Sequence, residues 1–202
     1  MISIDPQLNS ERDNYKLMIG SIIPRPIAFV TTQSEEGVLN GAPFSYFSIV
    51  SANPPMISLG IQRNQGEMKD TARNIYHKHE FVVHIVDEEN LQKVNETAAT
   101  LPPEVSEIAL AKLTPVSSKK IAVPGIVESK IRMECKLVKA IQLGEEKTNT
   151  DFIIGEIVQF HIDDSIYHNG KIDAKGLNAI SRLAGSDYAT IGEIIITLER
   201  PK

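Results

Sequence analysis

The chain has 202 residues, enough to bury a core, and a formal net charge of -5 from 21 Lys and Arg against 26 Asp and Glu, which excludes a global field that would draw nucleic acid or an anionic membrane. Its single cysteine, Cys135, excludes an intrachain disulfide framework and a thiolate-rich metal cluster, and the alternating stretch around it suits a buried, inert thiol. The opening residues show no basic segment followed by an apolar core and no window reaches the length of a membrane span, so the expectation is one cytoplasmic domain over residues 1–202.

In chain order, IAFVTT from Ile27 to Thr32 is short, β-branched and apolar, and Pro24 and Pro26 fix an extended approach to it. SEEGVLNG then reads as a turn region, with Gly37 and Gly41 available for positive φ. Phe44 to Val50 and Met56 to Ile61 are further strands, separated by the paired prolines of SANPP. The first helix is expected over Lys69 to His77, where Ala72, Ile75 and Tyr76 mark one face. FVVHIV (Phe81 to Val86) is a strand, and Asp87 is placed to cap a second helix over EENLQKVNETA.

Pro102 and Pro103 stop that helix, EVSEIALAKL can form a short third one, and residues 101–125 are expected to lie across the surface or at a dimer contact. Ile126 to Leu143 and Asp151 to Ile162 form two long extended runs joined by the charged turn GEEKTNT, and ATIGEIIITLERP closes the chain with a last apolar run. Strands first, helices inserted, strands again: this order predicts a mainly β, antiparallel barrel with peripheral α-helices rather than a doubly wound sheet.

No nucleophile elbow, P-loop, dinucleotide fingerprint or HExxH occurs. His77 and His79 flank Lys78 as a solvated helix end, His84 alternates into a packed strand, and His161 and His168 have no nearby nucleophile. No catalytic side chain and no metal site is expected.

The stretch NGAPFSYFSIVSANPPMISLGI (Asn40 to Ile61) followed by KDTARNI resembles the flavin reductase-like family of FMN-binding split barrels, in its flavoredoxin-like branch. IIPRPIAFVTT resembles the family's first strand, CKLVKAIQLGEEKTNTDFIIGEIV its long paired strands, and RLAGSDY (Arg182 to Tyr188) its closing RxGGxY segment, with Ala184 in place of the first glycine. The resemblance runs from about Met18 to the C-terminus. It implies an antiparallel split β-barrel of Greek-key type and electron transfer through noncovalently bound FMN, with NADH or NADPH as transient donor. Flavin chemistry takes place on the ring, so the protein supplies position and electrostatics.

The resemblance assigns Asn40, Ala42, Pro43, Phe44 and Ser45 to the ring and ribityl chain; the residues alone favour a plain strand-entry bend. Lys69 and Thr71 suit the phosphate, where lysine brings a point charge and a helix start turns free amides toward an anion. Asp70 is expected to cap that turn. Arg25 is a candidate for the phosphate, for a dimer seam or for a plain surface charge, and Tyr188 either stacks at the flavin mouth or packs the tail. The family implies a homodimer and a redox protein or oxygenase partner, with no nucleic acid and no membrane. Two other functions remain open: a non-enzymatic, flavoredoxin-like electron carrier, and a pyridoxamine phosphate oxidase-like enzyme, whose extra phosphate pocket has only Ser117 to Lys120 and the neighbourhood of Arg182 as basic candidates.

Overall fold

In the computed structural model, which describes residues 1–144 and 149–193, the apolar run after Pro26 becomes a strand buried on both faces. Ala28 and Val30 enter one core, and Ile27 and Phe29 enter another, which is why the run is continuously apolar rather than alternating. Helix α1 (Glu11–Ser21) precedes the short β1 (Arg25–Pro26), and β2 (Ala28–Gln33), β3 (Leu39–Phe44), β4 (Phe47–Ala52) and β5 (Pro55–Gln62) follow. Beyond them come α2 (Asp70–Lys78), β6 (Glu80–Ile85), α3 (Leu91–Glu96) and α4 (Glu107–Leu110).

The two-residue strands β7 (Pro115–Val116) and β8 (Gly125–Ile126) pair with each other, and the long β9 (Ile131–Leu143) and β10 (Thr150–Ile162) follow. After β11 (Tyr167–His168), β12 (Lys171–Ile172) and α5 (Ala174–Leu177), the short β13 (Ser181–Arg182) and β14 (Tyr188–Ala189) join β1 in a three-stranded sheet. The main sheet has seven strands in the order β3-β2-β6-β9-β10-β5-β4, and every pairing in it is antiparallel. Ala72 and Ile75 of α2 lie in the first core with Phe81, Leu59 and Ile153; Val94 of α3 and Ile108 of α4 cover the opposite side with Phe29. No helix among the described residues is long and apolar enough to cross a membrane.

Several local expectations are corrected. The first helix is α1, not α2: Ser10 accepts from the Asp13 amide at 3.1 Å, but Ile19 is the only buried residue of the helix, so an apolar stripe never appears. Gly37 has φ of +88, whereas Gly41 lies inside β3, where a Cβ would meet Ile108 Cδ1 and stand 2.8 Å from Phe29 Cζ. Its hydrogen side chain makes room for the core. Asp87 does not cap α3; its Oδ1 accepts from the Glu89 and Asn90 amides at 3.0 Å, making a turn one step earlier, and Asn90 is the N-cap.

The run from Ile126 to Leu143 is broken, because Ser129 Oγ turns back to Ile85 O and Ile131 O at 3.0 Å. Residues 101–125 do not simply lie across the surface: Ile108, Ala111, Leu113, Ile121 and Val123 are buried. The turn residues 145–148 and the terminal run 194–202 lie outside the described residues.

Cys135 is fully buried, and burial pushes its thiol well above the usual range. His84 is likewise internal: Nδ1 meets Phe29 O at 3.0 Å, Nε2 accepts from the Ile126 amide at 3.0 Å, and burial drives the ring down to about 3. A neutral imidazole with both nitrogens engaged is a structural link.

Gly155 in β10 is packed closely against Phe81 of β6. It sits at a register shift between β9 and β10, and a Cβ there would strike Cζ of the buried Phe81 ring and come within 2.9 Å of Cε1. Gly155→Ala should lower stability by about 1–3 kcal/mol, the usual cost of overpacking. A urea midpoint unchanged by the substitution would contradict this packing.

Candidate functional site

The three-stranded sheet, α1, α3 and the β3–β4 connection enclose a cavity of about 670 Å³. Arg25, Lys69 and Arg182 line it together with Tyr46 and Tyr188, and no Asp or Glu does among the described residues. In a chain of formal charge -5 this is a local inversion of sign, and it favours an anionic guest. None of the three cations forms an ion pair among the described residues.

Arg25 is 7 % exposed and spends its guanidinium on backbone. Nη1 donates to Ile19 O at 2.8 Å and Ile22 O at 2.7 Å, and Nη2 donates to Leu183 O at 2.9 Å. Its Nε and the hydroxyl of Tyr46 are buried without a partner, and burial pushes the Tyr46 phenol above its ordinary range. Unpaired buried donors of this kind are costly.

A second cavity of about 280 Å³ adjoins the first, and Pro43, Phe44, Lys69 and Ala98 line both. The Lys69 ammonium lies 5.7 Å from the Phe44 ring centroid, and burial lowers its pKa from the usual lysine range. Lys69 is the N-cap residue of α2 without a side-chain capping bond. Asp70 does not cap either; its carboxylate pairs with Arg73 one turn on.

Beneath this junction runs a closed polar network. Asn40 Oδ1 accepts from Thr32 Oγ1 and Thr71 Oγ1 at 3.1 Å, and Asn40 Nδ2 donates to Glu107 Oε2 at 2.9 Å. Asn74 Nδ2 donates to Thr32 Oγ1 at 3.1 Å. Because β3 is a terminal strand, its outer backbone edge is open. Leu39 O accepts from Ser106 Oγ at 2.5 Å, and the Gly41 amide reaches Glu107 at 3.4 Å. By the same alternation Pro43 presents its missing N–H to that outer edge, so the sheet loses no ladder bond.

Every site residue expected from sequence lines one of the two cavities: Arg25, Ser45 and Tyr188 the larger, Asn40, Ala42, Asp70 and Thr71 the smaller, and Pro43, Phe44 and Lys69 both. Arg25 is not a surface charge. Asn40 and Thr71 point their side chains into the network, leaving the Thr71 hydroxyl's donor spent. Tyr188 stands under Arg182, whose guanidinium carbon is 4.4 Å from the ring centroid.

Sequence reasoning missed Tyr46 and Glu107. Tyr46 was visible in FSYF; Glu107 had no signal, since only the tertiary fold carries it to Asn40. The Ser117–Lys120 segment lines neither cavity, and its backbone serves a carboxylate: the Lys119 and Lys120 amides donate to Glu134 at 2.7 Å, and the same carboxylate meets His161 Nε2 at 2.6 Å.

The family model described as "Flavin reductase like domain" matches residues 19–176. An uncharacterized protein of Bacillus subtilis is 47 % identical over 196 residues, covering 95 % of each chain. The crystal structure of nitrilotriacetate monooxygenase component B from Bacillus cereus is 57 % identical, with a TM-score of 0.96 over 98 % of both chains. That of 2-nitrobenzoate 2-nitroreductase from Pseudomonas fluorescens is 28 % identical, with a TM-score of 0.89 over 99 % of this chain and 96 % of the other.

Burial raises the Glu107 carboxyl above the usual carboxylate range, so the folded chain keeps a proton that the unfolded chain releases at lower pH. The stabilisation from this group is complete below its unfolded value and is lost as pH rises through the folded one. Glu107→Gln retains an oxygen acceptor for Asn40 and Gly41 but carries no charge. The variant should therefore melt above wild type near pH ~8, with the difference closing toward pH ~4.5. Thermal unfolding across that range is the measurement; a difference independent of pH would contradict the assignment.

Proposed function

Because the chain belongs to the flavin reductase-like family, we propose that it is an FMN-dependent oxidoreductase that transfers electrons through noncovalently bound FMN, with NADH or NADPH as donor. The observation that carries this reading is the larger cavity: its cations are unpaired, it has no carboxylate among the described residues, and two of its buried polar atoms lack partners. Such a lining fits a large anionic guest with many acceptor atoms. FMN, when bound, supplies the electron-accepting and electron-donating ring.

Each element of the site then has a task. Lys69, at the junction of the cavities, holds the terminal phosphate, and its partial burial strengthens that contact. The first amides of α2, including that of Thr71, add donors. Asn40 acts from below by fixing Thr71 and Glu107, while the outer edge of β3 and the residue after it, from Ala42 to Ser45, would hold the ring and ribityl chain. Tyr188 and Arg182 close the far side. No acid or base is required of the chain, because its contribution is orientation and field.

The remaining parts of the proposal follow from the same fold. We read the main sheet as the family's split barrel; β3 also contacts β5 across the sheet, in keeping with a sheet that curls on itself. We read the chain as a homodimer through terminal strand β4, where Ile49 is 81 % and Val50 46 % exposed. The similarity to a monooxygenase component favours an oxygenase as the recipient of the electrons.

Purified protein should be yellow and release FMN on denaturation. Lys69→Ala should weaken FMN by about tenfold or more, the value of a charge-assisted contact, while riboflavin affinity changes little. Equal loss for both ligands would remove Lys69 from the phosphate. Anaerobic NADH or NADPH should bleach the oxidised flavin absorbance; a flavin that is reduced chemically but by neither donor would reject the nicotinamide reading.

A further inference from the structure

The larger cavity holds more positive charge than one cofactor phosphate uses. Arg25 and Arg182 are direct cross-strand partners in the β1–β13 pair, and Arg182 is in turn the partner of Tyr188 across β13–β14. These three residues therefore form one row across the small sheet, and all line the larger cavity. Like charges directly opposite in an antiparallel pair repel, and no carboxylate among the described residues relieves them. Arg25 has used three of its five N–H donors on carbonyls. What remains is Nε–H, buried without a partner, together with one Nη2–H; the Tyr46 hydroxyl, from the lining of the same cavity, is likewise buried without a partner. Lys69 lies where the cavities meet, whereas Arg25 and Arg182 line only the larger one.

We propose that the Arg25–Arg182 row, with Tyr46, is a second anion subsite that binds the carboxylate of a flat aromatic acid, the substrate that shares the cavity with the flavin. This rests on the FMN reading above and names the class of molecule placed beside the ring. An arginine edge matches a planar carboxylate with paired donors, and Tyr46 adds a hydroxyl donor. Tyr188, under the Arg182 guanidinium, and Tyr15 add aromatic surface to the lining of the cavity. Binding places a negative charge between two cations that otherwise repel, so affinity for the acid draws on relief of that repulsion.

The test uses FMN-loaded protein with benzoate and its neutral isostere benzamide, followed by change in the flavin absorbance and by calorimetry. Benzoate should bind saturably and benzamide roughly ten- to a hundredfold more weakly, the range expected for one charge-assisted contact. Arg182→Gln should erase that preference and Arg182→Lys should restore part of it. Arg25 is less suited to substitution, because its carbonyl bonds hold α1 to the closing segment; Tyr46→Phe is the second variant and should weaken benzoate more than benzamide, whose carbonyl accepts a weaker bond than a carboxylate does.

Equal binding of the two probes overturns the proposal. So does Arg182→Gln weakening FMN while sparing riboflavin, which would give the row to the cofactor phosphate. Displacement by inorganic pyrophosphate without any binding of benzoate overturns it as well, in favour of the dinucleotide donor. Wild-type protein that takes up no FMN removes the cofactor reading itself; in that sample calorimetry with benzoate and benzamide still decides the subsite.

Discussion

A buried guanidinium with no counter-charge among the described residues sets the geometry of the cavity end of this molecule. Arg25 is taken out of water, and its cost is offset only by carbonyl oxygens. Those oxygens are not arbitrary. Ile19 O and Ile22 O belong to the end of α1, where helix carbonyls lack partners and the helix dipole is negative, and α1 has no basic residue of its own in its last turn. Leu183 O belongs to the closing segment after β13. One side chain from a two-residue strand therefore ties the first helix to the last described hairpin, reaching Leu183 at 158 positions from Arg25 in sequence, and the cavity is the space left between them.

The other wall depends on a different kind of interaction. Asn40, Thr32, Thr71, Asn74 and Glu107 come from β3, β2, α2 and α4, and each is at most 7 % exposed. A buried network of this type repays its desolvation only when its members satisfy one another, and here Asn40 uses both its oxygen and its nitrogen. The consequence is a fixed floor beneath Lys69. A flexible lysine is a weak positioning device; one resting over Phe44, at the start of a helix whose Thr71 is locked to β3, has far less freedom. Rigidity below and an unpaired charge above suit repeated capture of the same anion.

Much of this was legible in the chain, and what was not has physical reasons. Most strands of the main sheet could be read from β-branched and apolar runs, and α2 from Ala72, Ile75 and Tyr76, because those elements bury a continuous face; β3 (Leu39–Phe44) could not, since its Asn, Gly and Pro read as turn and loop. Helix α1 could not, since it buries Ile19 alone and is held by Arg25 rather than by an apolar stripe. The cavity-lining stretch from Ala42 to Ser45 and Lys69 was singled out through family resemblance, but the side chains around it were read too directly: Asn40 and Thr71 look inward, and Asp70 serves Arg73. Glu107 and the Arg25–Arg182 pairing were out of reach for a common cause. Each depends on a tertiary contact, 67 positions in one case and a cross-strand register in the other, and no local pattern announces it.

The separation of the cations bears on how a cavity lined by no carboxylate among the described residues can still discriminate among ligands. Lysine presents a compact charge that suits a tetrahedral terminal phosphate, and arginine presents a planar edge that selects planar oxyanions. Placing the first at the junction with the smaller cavity and the second pair on the far sheet assigns different shapes of anion to different ends of one space. The missing carboxylates matter as much as the cations present, because a single Asp between Arg25 and Arg182 would satisfy both and leave nothing for a ligand. Where the electron chemistry belongs to a cofactor, selection by charge and shape is the part of catalysis left to the protein, and this cavity is built from those two quantities.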